Sequence, residues 1–145
     1  MSIRDIMSTD VVSVRPEDNL QTAVSRMLDN SVGSVIVESE GDPVGIITES
    51  DVLEMGRTFE VPFEEIPVKR AMSQNPVTID PETSPEEAVE TMRDYGIKKL
   101  PVLEDETLVG IVTLTDLVYY QHDLASEAAR IEQERSDAEA GPSAR

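Results

Sequence analysis

The sequence has no cysteine, no tryptophan and only one histidine, His122. Without thiols there can be no disulfide, thiolate metal site or cysteine nucleophile. A lone imidazole excludes paired-histidine zinc sites and di-histidine relays, and the spacing around His122 makes it a surface residue. Aromatics are 3% of the 145 residues, so a core built from the 39% that are hydrophobic must be aliphatic. Positive charge is also scarce. Twelve Lys and Arg face 30 Asp and Glu, a formal charge of −18, and only Lys69, Lys98 and Lys99 are lysines. No basic run exceeds the pairs Lys69-Arg70 and Lys98-Lys99, which argues against gripping a nucleic-acid backbone. No apolar stretch approaches the ~18 residues of a membrane span, and Met1 to Pro16 carries no signal-peptide core. A soluble, cytoplasmic protein without membrane insertion is the expectation. Catalytic signatures are missing as well. There is no Gly-x-x-x-x-Gly-Lys, Gly-x-Gly-x-x-Gly or Gly-x-Ser-x-Gly, and nothing joins a nucleophile to a base and an orienting group.

What is present is a repeat. Shifted by 65, the chain aligns on itself without a gap: Met7-Ser8 on Met72-Ser73, Val12 on Val77, Pro16-Glu17 on Pro81-Glu82, Ala23-Val24 on Ala88-Val89, Met27 on Met92, Val37 on Val102, Val44-Gly45-Ile46 on Val109-Gly110-Ile111, Thr48 on Thr113 and Asp51 on Asp116. Two copies at this period suggest a pseudo-symmetric pair, each copy burying one face against the other. The expected divisions are residues 1–60, residues 61–122 with a short linker at 57–67, and an acidic helix or tail over 123–145.

Each copy reads as β-α-β-β-α. A short extended piece, Val11 to Val14 or Val77 to Ile79, precedes a turn at Pro16 or Pro81. Asp18 and Ser84 are the expected N-caps of a helix with apolar residues at helical spacing: Leu20, Ala23, Val24, Met27 and Leu28, or Ala88, Val89 and Met92. At that spacing the methionines are core. The helix should end near Asn30, or at Gly96 as a left-handed cap. Two buried strands follow as a hairpin, Ser34 to Val37 with Pro43 to Ile47, and Leu100 to Leu103 with Leu108 to Val112. A closing helix begins at Thr48 or Thr113. The linker, with Pro62 and Pro67 around Phe59 and Phe63, should be an ordered loop or a single helical turn. Leu124 to Ala140 has helix propensity but few apolar anchors, and Gly141 to Arg145 should be disordered. The acid pairs Glu64-Glu65 and Glu86-Glu87 read as solvated faces or helix starts.

The repeated stretch Gly45-Ile46-Ile47-Thr48-Glu49-Ser50-Asp51, matched by Gly110-Ile111-Val112-Thr113-Leu114-Thr115-Asp116, carries the chemical information. It runs from a strand end into a helix start, where free N–H groups and a positive dipole end favour an anion. Thr supplies a donor for a phosphate oxygen, and Asp, one turn on, can accept from two vicinal hydroxyls. Together they suit a ribose phosphate. The preceding Gly permits close approach of a ligand or backbone. The same spacing is also a capping box, in which Thr and Asp serve only their own helix. The two roles are compatible.

The duplicated unit, with Gly-(Ile/Val)-(Ile/Val)-Thr-x-x-Asp twice and Lys98-Lys99-Leu100-Pro101-Val102 ahead of the second, resembles a tandem pair of cystathionine β-synthase (CBS) domains, a Bateman module. The likeness covers roughly Ile3 to His122. It implies an α/β (α+β) fold of two repeats packed with pseudo-twofold symmetry, leaving two clefts for adenosyl ligands: AMP, ADP, ATP or S-adenosylmethionine. One cleft would use Ile46, Thr48, Ser50 and Asp51 with Pro76, Val77, Ile97 and Lys98. The other would use Ile111, Thr113, Thr115 and Asp116 with Val11, Val12, Val32 and Gly33. In them Asp51 and Asp116 would take ribose hydroxyls, Thr48 and Thr113 would face phosphate, and apolar residues would sandwich adenine. The first cleft gains Lys98 and Lys69 as counter-charges where the second has Gly33 and Arg4. Ser50 and Thr115 stand where family members often carry Arg, which weakens the case for polyphosphate. The resemblance further implies a non-catalytic regulator acting in trans on another protein, and a homodimer touching through Leu53, Met55, Leu117 and Val118. The alternative is a dimerising or partner-docking module that binds no nucleotide. The acid excess with scarce lysine resembles the proteins of extreme halophilic archaea, whose carboxylate surfaces stay hydrated in concentrated salt.

Overall fold

The computed structural model describes residues 1–140. Its mixed α+β architecture follows the repeat. In the first copy β1 (Ser13–Val14), α1 (Leu20–Asp29), β2 (Ser34–Ser39), β3 (Asp42–Thr48) and α2 (Glu49–Thr58) succeed one another. After a 3-10 turn at Phe63–Glu65 come α3 (Val68–Ala71) and β4 (Ser73–Gln74). The second copy adds α4 (Pro85–Tyr95), β5 (Lys99–Glu104), β6 (Thr107–Thr113) and α5 (Leu114–Ala140). The linker is thus ordered with a single turn, and α5 runs on from the second copy for 27 residues. Gly141 to Arg145, expected to be disordered, lie outside the described residues. Among the described residues no helix is long and apolar enough to cross a membrane.

Both hairpins form, β2 with β3 and β5 with β6, antiparallel and in matching register: Ile36 faces Ile46 as Pro101 faces Ile111. Two expectations about ends are corrected. The N-cap of α1 is Asn19, whose side chain accepts from Thr22 N–H at 3.0 Å; Asp18 instead accepts from Arg15 N–H at 2.8 Å and closes the preceding turn. Both residues are good caps, and the turn captured one of them. Ser84 caps α4 as expected, accepting from Glu87 N–H at 3.1 Å, and Gly96 ends it at φ 65°.

The second correction concerns the extended pieces. In the first copy Ser13 and Val14 pair in parallel with Ile36 and Val37, and Ile36 N–H donates to the Val12 carbonyl at 3.0 Å. In the second copy only the bridge Ile79 to Val102 survives, and Val77 to Ile79 is no regular strand. The cause is Pro101, which stands where the first copy has Ile36. Proline has no N–H, so the Val77 carbonyl, counterpart of Val12's, loses its donor.

The copies exchange their first segments. Ile3, at the start of the first copy, is fully buried in the second copy's core with Ala88, Met92, Leu100 and Val102. Its counterpart Val68 is fully buried in the first copy's core with Leu20, Ala23, Val35 and Ile47. Matching bonds fix the exchange: Ile3 N–H to Thr83 carbonyl at 2.9 Å, and Val68 N–H to Asp18 carbonyl at 2.8 Å. Ser8 bridges Ile111 as Ser73 pairs with Ile46. The sequence boundary between repeats is therefore not a packing boundary. Gly45 and Gly110 sit at these crossings. A Cβ on Gly45 would lie 2.6 Å from Met72 Sδ and 2.9 Å from the Ser73 carbonyl, and one on Gly110 would stand at the same distances from Met7 and Ser8. It is backbone that these glycines admit.

Candidate functional site

The exchange leaves a cleft of about 590 Å³ where the first copy's hairpin meets the second copy's start, within the ~300–1,000 Å³ typical of small-molecule sites. Ile46 and Thr48 reach it from the end of β3, and Ser50 from the first turn of α2. The segment Asn75-Pro76-Val77 forms another side. Tyr95, Ile97 and Lys98 come from the turn that joins α4 to β5, and Lys99 and Pro101 from β5. Seven of the eight residues expected in the first cleft are thereby brought together; the eighth, Asp51, is not part of its wall. Lys69 does not reach the cleft either, because α3 packs on the first copy's core. Ser73, Gln74, Asn75, Tyr95, Gly96, Lys99 and Pro101 were not among the expected residues. Adjacency to Pro76, Ile97 and Lys98 was the available signal for most of them.

Asp51 works at the mouth of its own helix. Its Oδ2 accepts from Thr48 N–H at 2.8 Å and from Thr48 Oγ1–H at 3.1 Å, while Asp51 N–H donates to Thr48 Oγ1 at 3.3 Å. The box is complete, and it spends the Thr48 hydroxyl proton on Asp51. Asp51 Oδ1 accepts nothing from the described protein. The second copy repeats the box, with Thr113 N–H donating to Asp116 Oδ2 at 2.9 Å and Asp116 N–H to Thr113 Oγ1 at 3.1 Å.

For the second set of expected residues the structure provides bonded contacts. Val12 holds Ile36, Ile111 exchanges two bonds with Ser8, and the Gly33 carbonyl accepts from Glu49 N–H at 3.1 Å. A Cβ on Gly33 would lie 3.2 Å from Glu49 Oε1 and 3.5 Å from Lys99 Nζ. Val11, Val32 and Thr113 are half-buried and Thr115 is exposed. Arg4, whose position matches Lys69, is no counter-charge for a ligand: it pairs with Glu82 and Glu104 of the second copy. These two carboxylates raise its pKa above the ordinary arginine value.

Lys99 makes a side-chain hydrogen bond across the seam. Its Nζ donates to Ser34 Oγ at 2.9 Å, and Ser34 is the residue that the 65-residue shift relates to Lys99 itself. Burial lowers the Lys99 pKa below the ordinary lysine value, against the pull of Glu49. A larger hollow of about 830 Å³ lies beside β1, lined by Arg15, Arg26, four acids and turn backbone. Its apolar wall is confined to Val14 and Pro16, so it offers no seat for a ring system.

Comparison with known proteins places this geometry. The CBS domain profile matches residues 3–57 and again residues 68–123. The CBS domain-containing protein YhcV of Bacillus subtilis is 34% identical over 128 residues, 88% of this chain and 89% of that one. Protein MJ1404 of Methanocaldococcus jannaschii is 33% identical over 141 residues, 87% of this chain but 33% of its own length, so the chain spans only a third of that relative. Among solved structures, CBSX2 in complex with AMP superposes with TM-score 0.74 at 20% identity, over 86% of this chain and 98% of that one. The CBS domain pair of protein MJ0100, in complex with 5′-methylthioadenosine and S-adenosyl-L-methionine, superposes with TM-score 0.76 at 22% identity, over 85% and 97%. At these identities the two structures speak for the fold.

Proposed function

The chain belongs to the CBS-domain family, carrying the domain twice in tandem, and we propose that it is a non-catalytic regulatory module that binds an adenosyl ligand in the cleft between its copies. The observation that carries this reading is an open cleft of about 590 Å³ that gathers Ile46, Thr48, Ser50, Pro76, Val77, Ile97 and Lys98 from both copies. Complexes of CBSX2 with AMP and of MJ0100 with S-adenosyl-L-methionine support the ligand class. Ile46, Pro76, Val77 and Ile97 offer apolar faces for a purine. The Val77 carbonyl, left without a donor by Pro101, offers an acceptor for its amino group. Asp51 holds its helix with one oxygen and keeps Oδ1 for ribose hydroxyls. Thr113, Thr115, Asp116, Ile111, Val11, Val12, Val32 and Gly33 stand at the equivalent points for a second, less polar site.

A bound ligand touches both copies and so favours one packing of them. Its differential affinity for that packing shifts a population, which a partner protein reads in trans. A homodimer completes the proposal. Leu28 and Leu53 are each 74% exposed, beside a shallow apolar hollow on α1 and α2, and Val118 is 57% exposed on α5. Leu117, expected on that face, is buried in the second copy's core, and Met55 is half-buried against the first copy's core. A cytoplasmic location fits the reading.

A second reading, a docking module that binds no nucleotide, draws on the fact that both aspartates already close capping boxes. Calorimetry with AMP, ATP and S-adenosylmethionine in KCl buffer separates the two. Binding that weakens in Asp51→Asn supports the sensor; no heat from any adenosyl compound leaves the docking module.

A further inference from the structure

We propose that this cleft selects its occupant by charge, accepting a phosphorylated nucleoside ahead of an uncharged or sulfonium-bearing one, with Lys99 and Lys98 as the selecting side chains. The inference rests on the adenosyl-binding reading and narrows its ligand to an anion.

Acids outnumber bases 30 to 12 in the chain, yet not one residue of the cleft wall is acidic, and two of the chain's three lysines are there. On so acidic a protein this excess of cations in the wall reverses the field locally, although Asp51 borders it and Glu49 lies near Lys99. In a concave, partly apolar site such a reversal is focused on the occupant, whereas the outer charges are screened over about 8–10 Å in physiological salt.

Lys99 is placed to respond. Its single hydrogen bond goes to a neutral hydroxyl, Ser34 Oγ, and an ammonium has three donors. Two remain for phosphate oxygens. No carboxylate neutralises it by a hydrogen bond, and partial burial costs its charge some hydration, so an incoming anion restores what burial removes. Lys98, exposed beside it, has no ion-pair partner among the described residues. A sulfonium would meet the same two cations as a repulsion.

The repeat supplies an internal control. At the points matching Lys98, Lys99 and Asn75 the first copy has Gly33, Ser34 and Asp10. Both cations are gone and an acid has arrived. The second set of residues brings no cation of its own, and the ammonium that reaches Gly33, that of Lys99, is accompanied there by the Glu49 carboxylate, so a phosphorylated ligand should bind once per chain.

The experiment is isothermal titration of the full chain with adenosine, AMP and S-adenosylmethionine, which share the nucleoside and differ in charge. AMP should bind with one site per chain, about tenfold or more tighter than adenosine, the yield of one to two charge-assisted hydrogen bonds; S-adenosylmethionine should bind weakest. Lys99→Gln, which can still donate to Ser34, should erase most of the AMP advantage over adenosine. Ser34→Ala, which frees the ammonium without removing it, should keep the advantage, and Lys69→Gln, outside the cleft, should change nothing. Equal affinity for all three compounds, or an AMP advantage that survives Lys99→Gln combined with Lys98→Gln, overturns charge selection while adenosyl binding stands. Heat from none of the three overturns both.

Discussion

The carboxylate of Asp51 has two oxygens, and the capping box uses one. Two substitutions separate the roles. Asp51→Ala should cost about 1 kcal/mol of stability for the lost hydrogen bonds and also weaken ligand binding. Asp51→Asn keeps an acceptor for Thr48 N–H, so chemical denaturation should find it near wild type while titration finds weaker ribose contact. Lys99 gives a pH signature at the same scale. Its pKa is lowered in the fold, so the folded state releases this proton before the unfolded state does. Stability from this group therefore rises with pH from the lowered value up to the ordinary 10.5. Relative to Lys99→Gln, the wild-type protein should gain denaturant resistance as pH rises from the lowered value towards the ordinary one, with Glu49 the charged neighbour that tempers the change. A flat difference would contradict the burial assigned to Lys99. At this scale the sequence was legible in type and less so in role. Thr48 was readable from the Thr-x-x-Asp motif and Ile97 and Lys98 from the family resemblance, whereas Asp51, expected beside them, is not part of the cleft wall. That Lys99 turns inward to Ser34 was not readable, because its partner lies 65 residues away and only the packed seam decides which of two adjacent lysines is covered.

At the scale of elements, local chemistry settled most of the outcome. The helices fall where apolar periodicity and caps put them, since Ser84, Pro85 and Gly96 each fit a single position of α4. The hairpins fall where turns flank aliphatic runs. What the sequence concealed was the loss of pairing ahead of α4, because one missing donor at Pro101 acts on a residue 24 positions earlier. Pro101→Ile should restore that donor, extend the parallel pairing to Val77 and raise protection of the second copy's amides in hydrogen exchange. It should also occupy the Val77 carbonyl and weaken purine binding about tenfold, the worth of one hydrogen bond in a desolvated site. Gly45→Ala tests the crossing. With Met72 and the Ser73 backbone inside van der Waals distance of the new Cβ, the strand pair must part, at a cost of about 1–3 kcal/mol readable as a lower denaturation midpoint.

For the whole molecule, the exchange of first segments makes one cooperative body of two repeats. Ile3 belongs to the first copy by sequence and to the second by packing. Ile3→Ala should cost about 2–5 kcal/mol, and hydrogen exchange should report the loss in β5 and β6 rather than in β2 and β3. A simple count of repeats could not reveal this, because both arrangements bury the same residues; cross-copy bonds such as those from Ile3 to Thr83 and from Val68 to Asp18 tell them apart. The charge of −18 also acts at this scale. Self-repulsion falls as salt shortens the screening length, so the melting temperature should climb from dilute buffer to molar KCl; a fall would argue against the halophile-like surface. The account rests most heavily on the seam cleft as a nucleotide site, and a crystal grown with AMP tests that most directly. The account predicts purine density between Ile46, Pro76, Val77 and Ile97, with the ribose on Asp51 and the phosphate at Lys98 and Lys99. An empty cleft at saturating AMP, or AMP bound elsewhere on the molecule, would contradict it.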